Sequence, residues 1–212
     1  MWNFNVVKNN NTDKKISDGR MTTIGLIRHG ITEWNTMGKA QGISNIPLNS
    51  LGKQQAMAIA NRLLQEEKWD ILITSDMSRA IETGEIIGQK INLPISHIEK
   101  RVREIDCGKI EGTTLEERIS KWGSNWRELD LKMEKFEVVA KRGEQFLEEI
   151  ILRYPGKRIL IVSHGAFIGL TLKQILPAVF QDTFIENTSL TILNNINGNW
   201  NCALYNCTKH LK

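Results

Sequence analysis

The sequence predicts a single α/β domain, a three-layer α/β/α sandwich around a mostly parallel, doubly wound sheet. Three observations lead there. Short apolar runs rich in β-branched residues alternate with segments of helical period along the chain. Two of those runs end in a histidine followed by glycine, Arg28-His29-Gly30 and Ser163-His164-Gly165. In open α/β sheets the carboxyl ends of the strands are where ligand crevices form, so the two triplets read as one site built from distant pieces of chain. Finally, 212 residues with an apolar fraction of 41% suit one domain with a sizeable core.

Residues 1–20 are polar, rich in Asn, Lys and Asp, and lack the apolar centre of a signal peptide. They read as a leader before a domain spanning 21–212, with Met21 placed as an alternative start. Thr22 to Ile27 is the first buried strand, and Gly30 is expected to let the backbone turn tightly behind it. A loop from Thr36 to Asn49 follows. Asn49 or Ser50 then caps a helix with Ala56, Ile59, Ala60, Leu63 and Leu64 inward. Trp69 to Thr74 is the next strand, leading through Ser75-Asp76-Met77-Ser78-Arg79 into a helix over about 78–90 with Ile81, Ile86 and Ile87 inward. Leu93 to Ile98 is a short strand placed near an edge by Pro94.

Between Thr113 and Lys135 the pattern blurs. Trp122 and Trp126 read either as half-buried indoles of a surface helix or as part of a lid over the site. The next helix carries Phe136, Val139, Phe146, Leu147, Ile150 and Ile151 on its apolar side and stops near Pro155-Gly156. Arg158 to Val162 is a strand, followed by a helix over about 166–176. Strands at 190–193 and 200–204 flank Asn197-Gly198, a hairpin turn adding an antiparallel edge.

An Arg-His pair at the end of a buried strand is costly unless something anionic binds there. Taken alone, one such triplet is equally a histidine making ordinary capping bonds. Arg28 and Arg79 offer forked, fixed charge matching phosphate oxygens. Of His29 and His164, one can attack phosphorus while the other hydrogen-bonds the transferring group.

Four motifs in order, RHGxTEWN from Arg28, SxxxRAxET from Ser75, the E-x-x-x-G-x-x-E-G run from Glu104 to Gly112, and VSHG ending at Gly165, resemble the histidine phosphatase superfamily, whose best-known branch is cofactor-dependent phosphoglycerate mutase. The resemblance runs from about Thr22 to Leu204 and implies a phosphoglycerate mutase-like fold. It implies that His29 becomes phosphorylated, that His164 stabilises the transferring group, and that Glu104 protonates the departing alkoxide and later helps activate water. It places Asn35 on the phosphate, with Thr32, Gln41 and Gly42 in the same pocket. Arg28, Arg79 and His164 bind substrate as well as serving catalysis. Glu33 and Trp34 read as scaffold, His97 and His210 as edge or surface residues. Ser75 is read either as a phosphate neighbour or as part of a strand-end turn.

No cofactor and no metal ion are expected, since two arginines and a histidine supply the neutralising charge. Mutases typically continue from the catalytic Glu as Glu-Arg-His-Tyr-Gly, whereas this chain has Glu104-Ile105-Asp106-Cys107-Gly108. Only about 60 positions separate Glu104 from His164, where mutases carry a longer, site-closing insertion. A mutase must keep water from its phosphohistidine, so a phosphatase is expected. A mutase is the first alternative and a non-catalytic phospho-ligand binder the second. The substrate is expected to be a small phosphomonoester. A formal charge of +4, from 28 basic and 24 acidic residues, demands no nucleic acid. No run approaches the roughly 18 apolar residues of a membrane span. Three sparse cysteines without zinc spacing read as reduced thiols of a cytoplasmic protein, monomeric or homodimeric.

Overall fold

The computed structural model describes residues 19–66 and 68–212. All but the end of the predicted leader therefore lies outside the described residues. Six strands, β1 (Thr22–Arg28), β2 (Ile71–Thr74), β3 (Ile95–Ile98), β4 (Arg158–Ser163), β5 (Leu190–Ile196) and β6 (Asn199–Cys207), form one sheet ordered β3-β2-β4-β1-β5-β6. The first four positions pair in parallel, whereas β5 runs antiparallel to both β1 and β6. The expected mostly parallel sheet with a closing hairpin is what forms.

Alternation along the central strands sorts side chains between two apolar layers. Ile24 and Leu26 of β1, Ile71 and Ile73 of β2, and Ile159 and Ile161 of β4 face one way, onto α5 (Phe136–Arg153) and α6 (Gly165–Ile175). Ile27, Leu72, Leu160 and Val162 face the other, onto α2 (Ser50–Leu64) and α3 (Ser78–Ile91). Residues 159–162 of β4 are all 0% exposed. At about 1.5–3 kcal/mol for each fully buried branched side chain, this strand contributes strongly to holding the three layers together.

Several expected core positions are not core. Leu64 is the last residue of α2 and Phe136 the first of α5, and they are 54% and 57% exposed. In α3, Ile81 and Ile86 are only half-buried, and the inward face is Arg79, Ala80, Thr83, Gly84, Ile87 and Gly88. At Gly88 the approach is too close for any side chain: a Cβ there would meet the Leu93 carbonyl oxygen and come within 3.2 Å of Leu72. Asn49 does cap α2, its Oδ1 accepting from the Gly52 amide at 2.9 Å.

The blurred stretch resolves into α4 (Leu115–Trp122), opened by a Thr114/Glu117 capping box, and a short 3-10 turn at Trp126–Glu128. Trp122 is half-buried, but Trp126 is only 4% exposed, with the Arg118 and Arg127 guanidiniums 5.2 and 4.3 Å from its ring. Trp126 is a core residue beneath two cations. Neither indole lines the pocket described below, so the lid reading is withdrawn. His97 lies on edge strand β3, bonded to the Tyr154 hydroxyl at 2.8 Å, and His210 lies near Thr188.

Candidate active site

The parallel register pairs Arg28 of β1 with Ser163 of β4, so the residues after them, His29 and His164, leave the sheet side by side. The His29 amide donates to the Ser163 carbonyl at 2.9 Å, and the Ser75 amide, just past β2, donates to the Val162 carbonyl at 2.9 Å. Three strand ends are thereby drawn to one point. The two imidazole centroids are 5.1 Å apart at an interplanar angle of 61°.

His29 is 2% exposed, and its Nδ1 lies 2.7 Å from the Gly30 carbonyl. A carbonyl only accepts, so Nδ1 carries the proton and Nε2 keeps its lone pair. That Nε2 accepts from Arg79 Nε at 3.2 Å. Burial, then the charges of Arg79 and Arg28, hold the His29 pKa well below the usual imidazole range. The ring is neutral at pH 7, the state in which it can attack phosphorus. His164, fully buried, has Nε2 bonded to Ser75 Oγ at 2.8 Å. The same hydroxyl oxygen accepts from the Met77 amide at 3.3 Å, leaving its proton available to Nε2. The His164 Nδ1 is buried with no partner among the described residues. Burial, Arg79 and His29 lower the His164 pKa likewise. Ser75 thus belongs to His164, a role the strand-end position alone did not distinguish.

Arg79 sits in the first turn of α3, where a helix disfavours a cation, and is 0% exposed. Its Nη1 donates to the Ser44 carbonyl at 2.7 Å and its Nη2 to the Gly42 carbonyl at 2.8 Å. Burial brings its pKa down to about 10, with Glu104 and Glu111 opposing. Arg28 donates from Nη1 to the Ile185 carbonyl at 2.6 Å, while its buried Nε has no partner among the described residues. Both guanidiniums break local rules in a way that an anionic ligand would repair.

Glu104 projects to the start of α6. Its carboxylate accepts from the amides of Ile105 and Phe167 at 3.0 Å and of Ala166 at 3.2 Å. Gly165 opens that helix and lies against the Arg28 guanidinium: an added Cβ would come within 3.3 Å of Nε.

Thr32, placed by the sequence in the pocket, is fully buried behind it. It caps the short helix α1 (Glu33–Thr36), its Oγ1 accepting from the Asn35 amide at 3.2 Å. Its hydroxyl donates to Gln41 Oε1 at 2.9 Å, and its amide donates to Asn35 Oδ1 at 3.1 Å. Both amide oxygens are spent inward, so Asn35 Nδ2 and Gln41 Nε2 remain as donors on the pocket, which both residues line with Gly42. Thr32 orients two pocket-lining side chains and does not line the pocket itself. His164, too, is not a lining residue, though its ring is centred 5.1 Å from that of His29.

Gly30 is not in the left-handed region, contrary to the expected tight turn. Its hydrogen makes room for the first turn of α2, because a Cβ there would lie 2.9 Å from the Gly52 carbonyl carbon.

Sequence reasoning missed four contributors. Asn187 Nδ2 donates to the His29 carbonyl at 2.9 Å. Arg142 donates to the carbonyls of Arg101, Arg103 and Glu104 at 2.7–3.2 Å, fixing the segment that carries Glu104. Lys39 lines the pocket beside Ile105 and Cys107, and Glu111 braces its rim. The Cys107 thiol is buried, and burial raises its pKa to about 12. No group of three or more His, Cys, Asp or Glu residues that could hold a metal ion occurs among the described residues, nor any helix long and apolar enough to cross a membrane.

The family model for the histidine phosphatase superfamily (branch 1) matches residues 24–208. A Bacillus subtilis protein named as an uncharacterized phosphatase, PhoE, is 36% identical over 193 residues, covering 90% of this chain and 97% of its own. Among solved structures, Bacillus stearothermophilus YhfR superposes with a TM-score of 0.79 at 29% identity, over 90% of this chain and all of its own. A mutant phosphoserine phosphatase of Entamoeba histolytica, in complex with phosphoserine, superposes with a TM-score of 0.75 at 29% identity, over 90% and 100% of the two chains.

Proposed function

Since the chain belongs to the histidine phosphatase superfamily and is a phosphatase, we propose that it hydrolyses small phosphomonoesters through a phosphohistidine on His29, without a metal ion. The observation that carries the reading is a neutral, buried His29 whose Nε2 lone pair accepts from Arg79 Nε, with a second imidazole centred 5.1 Å away.

In the first step Nε2 attacks phosphorus in line and the phosphorus–oxygen bond to the alcohol breaks. Glu104 gives its proton to the departing alkoxide. Arg28, Arg79 and the Asn35 and Gln41 amides take the charge on the equatorial oxygens, with the His164 imidazole close beside His29. In the second step water attacks phosphorus, its proton passes to Glu104, and the nitrogen–phosphorus bond breaks to release phosphate. Such charge neutralisation by fixed cations is the work a divalent ion does elsewhere.

Ile105 and Cys107 line the pocket where a mutase would need strong donors to hold a second anionic group, and a thiol is only a weak one. That favours hydrolysis over phosphoryl return. Phosphoserine, the ligand of the Entamoeba relative, is a reasonable first substrate to assay. Three free cysteines suit a reducing compartment, so we place the protein in the cytoplasm.

The test is a rapid quench during turnover of phosphoserine and p-nitrophenyl phosphate, with mapping of protein-bound phosphate. Acid-labile, base-stable label on His29 is expected, absent in His29→Ala. Label on a serine, or on His164 alone, refutes the mechanism. With 3-phosphoglycerate, phosphate release should exceed formation of the 2-isomer, with or without 2,3-bisphosphoglycerate. The opposite result would make it a mutase.

A further inference from the structure

The run from Glu104 to Gly112 contains a second glutamate that the mechanism leaves unused. We propose that Glu111 is a positioning residue that holds Arg79 in register with the phosphoryl group, an inference that rests on the pocket being a phosphoryl site. Its carboxylate takes three donors from two consecutive residues: the amide of Ile43 at 2.8 Å, the amide of Ser44 at 3.0 Å, and the Ser44 hydroxyl. The same short loop turns its carbonyls the other way. Those of Gly42 and Ser44 are the two that grip the Arg79 guanidinium. One loop therefore links an anion on one side to a buried cation on the other.

The rest of the loop fits this assignment. Gly42 has φ +49°, and a Cβ there would collide with Glu111 Oε1, so glycine is what lets the carboxylate reach the amides. At its root the loop is clasped to the segment carrying Glu111, with Ala40 N–H donating to the Thr113 carbonyl at 3.1 Å and Gly112 N–H to the Ala40 carbonyl at 2.8 Å. Glu111 itself does not line the pocket. It therefore touches no bound phosphate directly, and acts on Arg79 both through the loop's carbonyls and through its charge.

Losing the carboxylate frees the two carbonyls to drift, and Arg79 loses the grip on Nη1 and Nη2 that holds its fork. As the fork loses its aim, the Nε contact on the His29 lone pair shifts with it.

The experiment is a double-mutant cycle on the full chain, with inorganic phosphate binding followed by calorimetry. Glu111→Gln keeps the shape and removes the charge. We expect it to weaken phosphate binding about tenfold in the wild-type background and less than about twofold in Arg79→Met, since residues acting through one another are not additive. In parallel, ¹⁵N NMR should show the His29 Nε2 resonance shifting in Glu111→Gln, because the Arg79 Nε contact changes. Equal losses in both backgrounds would overturn the proposal, as would an unmoved His29 resonance. So would a lowered melting temperature with unchanged phosphate affinity at 25 °C, the signature of a structural brace. If Arg79→Met binds too weakly to titrate, the resonance decides. If the wild type binds phosphate but turns over no ester, the phosphatase reading fails while the cycle still judges Glu111.

Discussion

Acidification to pH 5 should destabilise the fold before most carboxylates titrate, because the two site histidines are buried in their neutral form. Their folded pKa values lie well below the usual 6.5, through burial first and the neighbouring arginines second. As pH falls through about 6.5 the unfolded chain binds protons that the folded chain refuses, so stability present above that pH is lost below it. Between pH 7.5 and 5.0 each histidine with an unfolded pKa near 6.5 should cost up to about 2 kcal/mol, hence at most roughly 4 kcal/mol for the pair. That is a large share of the ~5–15 kcal/mol typical of a domain. His210, half-buried and lowered to about 4, adds a smaller loss of the same sign. Carboxylates with depressed values, such as Asp70 and Asp76, lose their contribution only as pH falls through about 4. Urea unfolding, followed by tryptophan fluorescence in phosphate-free buffers from pH 7.5 to 5.0, measures the effect. His29→Asn should halve the pair's share. A fall under about 1 kcal/mol, or a rise, would mean that the histidines are not held neutral by the fold, and the nucleophile's assignment would lose its physical basis.

Glu104→Gln should slow hydrolysis of an alkyl phosphate by about 10²- to 10⁴-fold and that of p-nitrophenyl phosphate far less, since a good leaving group needs little protonation; equal losses would count against a general acid. Gly30→Ala should cost about 1–3 kcal/mol by forcing α2 off the site loop, visible as a lower melting temperature and reduced turnover; an unchanged melt would show that the contact with Gly52 is soft. Exhaustive treatment with EDTA should leave activity intact, and a loss that added Mg²⁺ or Zn²⁺ restores would overturn the metal-free mechanism.

The elements that carry the site were the easiest to read. β1, β2 and β4 are continuous apolar runs because both faces are covered, and the residues that end them are chemically out of place in such runs. That contrast, with four motifs in order, led to His29, Arg79, Glu104 and His164. What escaped was the layer behind them. Asn187 reaches the His29 carbonyl across 158 positions, and Arg142 reaches the carbonyls of residues 101–104 across about 40. A hydrogen bond to a distant carbonyl leaves no periodic trace and does not constrain which residue types neighbour it. Thr32 was misplaced for a related reason, since sitting in a motif beside Asn35 does not reveal which way its hydroxyl points. Trp126 failed differently: surrounded by charges in sequence, it is buried under those same charges in space. Helix periodicity, for its part, says which residues share a stripe but not how far along the helix that stripe stays covered, hence Leu64 and Phe136 at the helix ends.

The position of β4 in the sheet has a consequence for how the protein is made. It lies between β2 and β1 yet follows both in the chain. β1 and β2 do not touch each other in the sheet; each leans on β4. A chain emerging from the ribosome therefore holds two apolar strands with open edges from Thr74 until Arg158 appears, roughly 4–17 s at about 5–20 residues per second. During that interval His29 exists without His164, and the edges that β4 will occupy are free to pair with other chains. Premature termination before Arg158 thus leaves a sticky fragment as well as an inactive one, and the cell's output of active enzyme depends on what shields those edges while the keystone strand is still being translated.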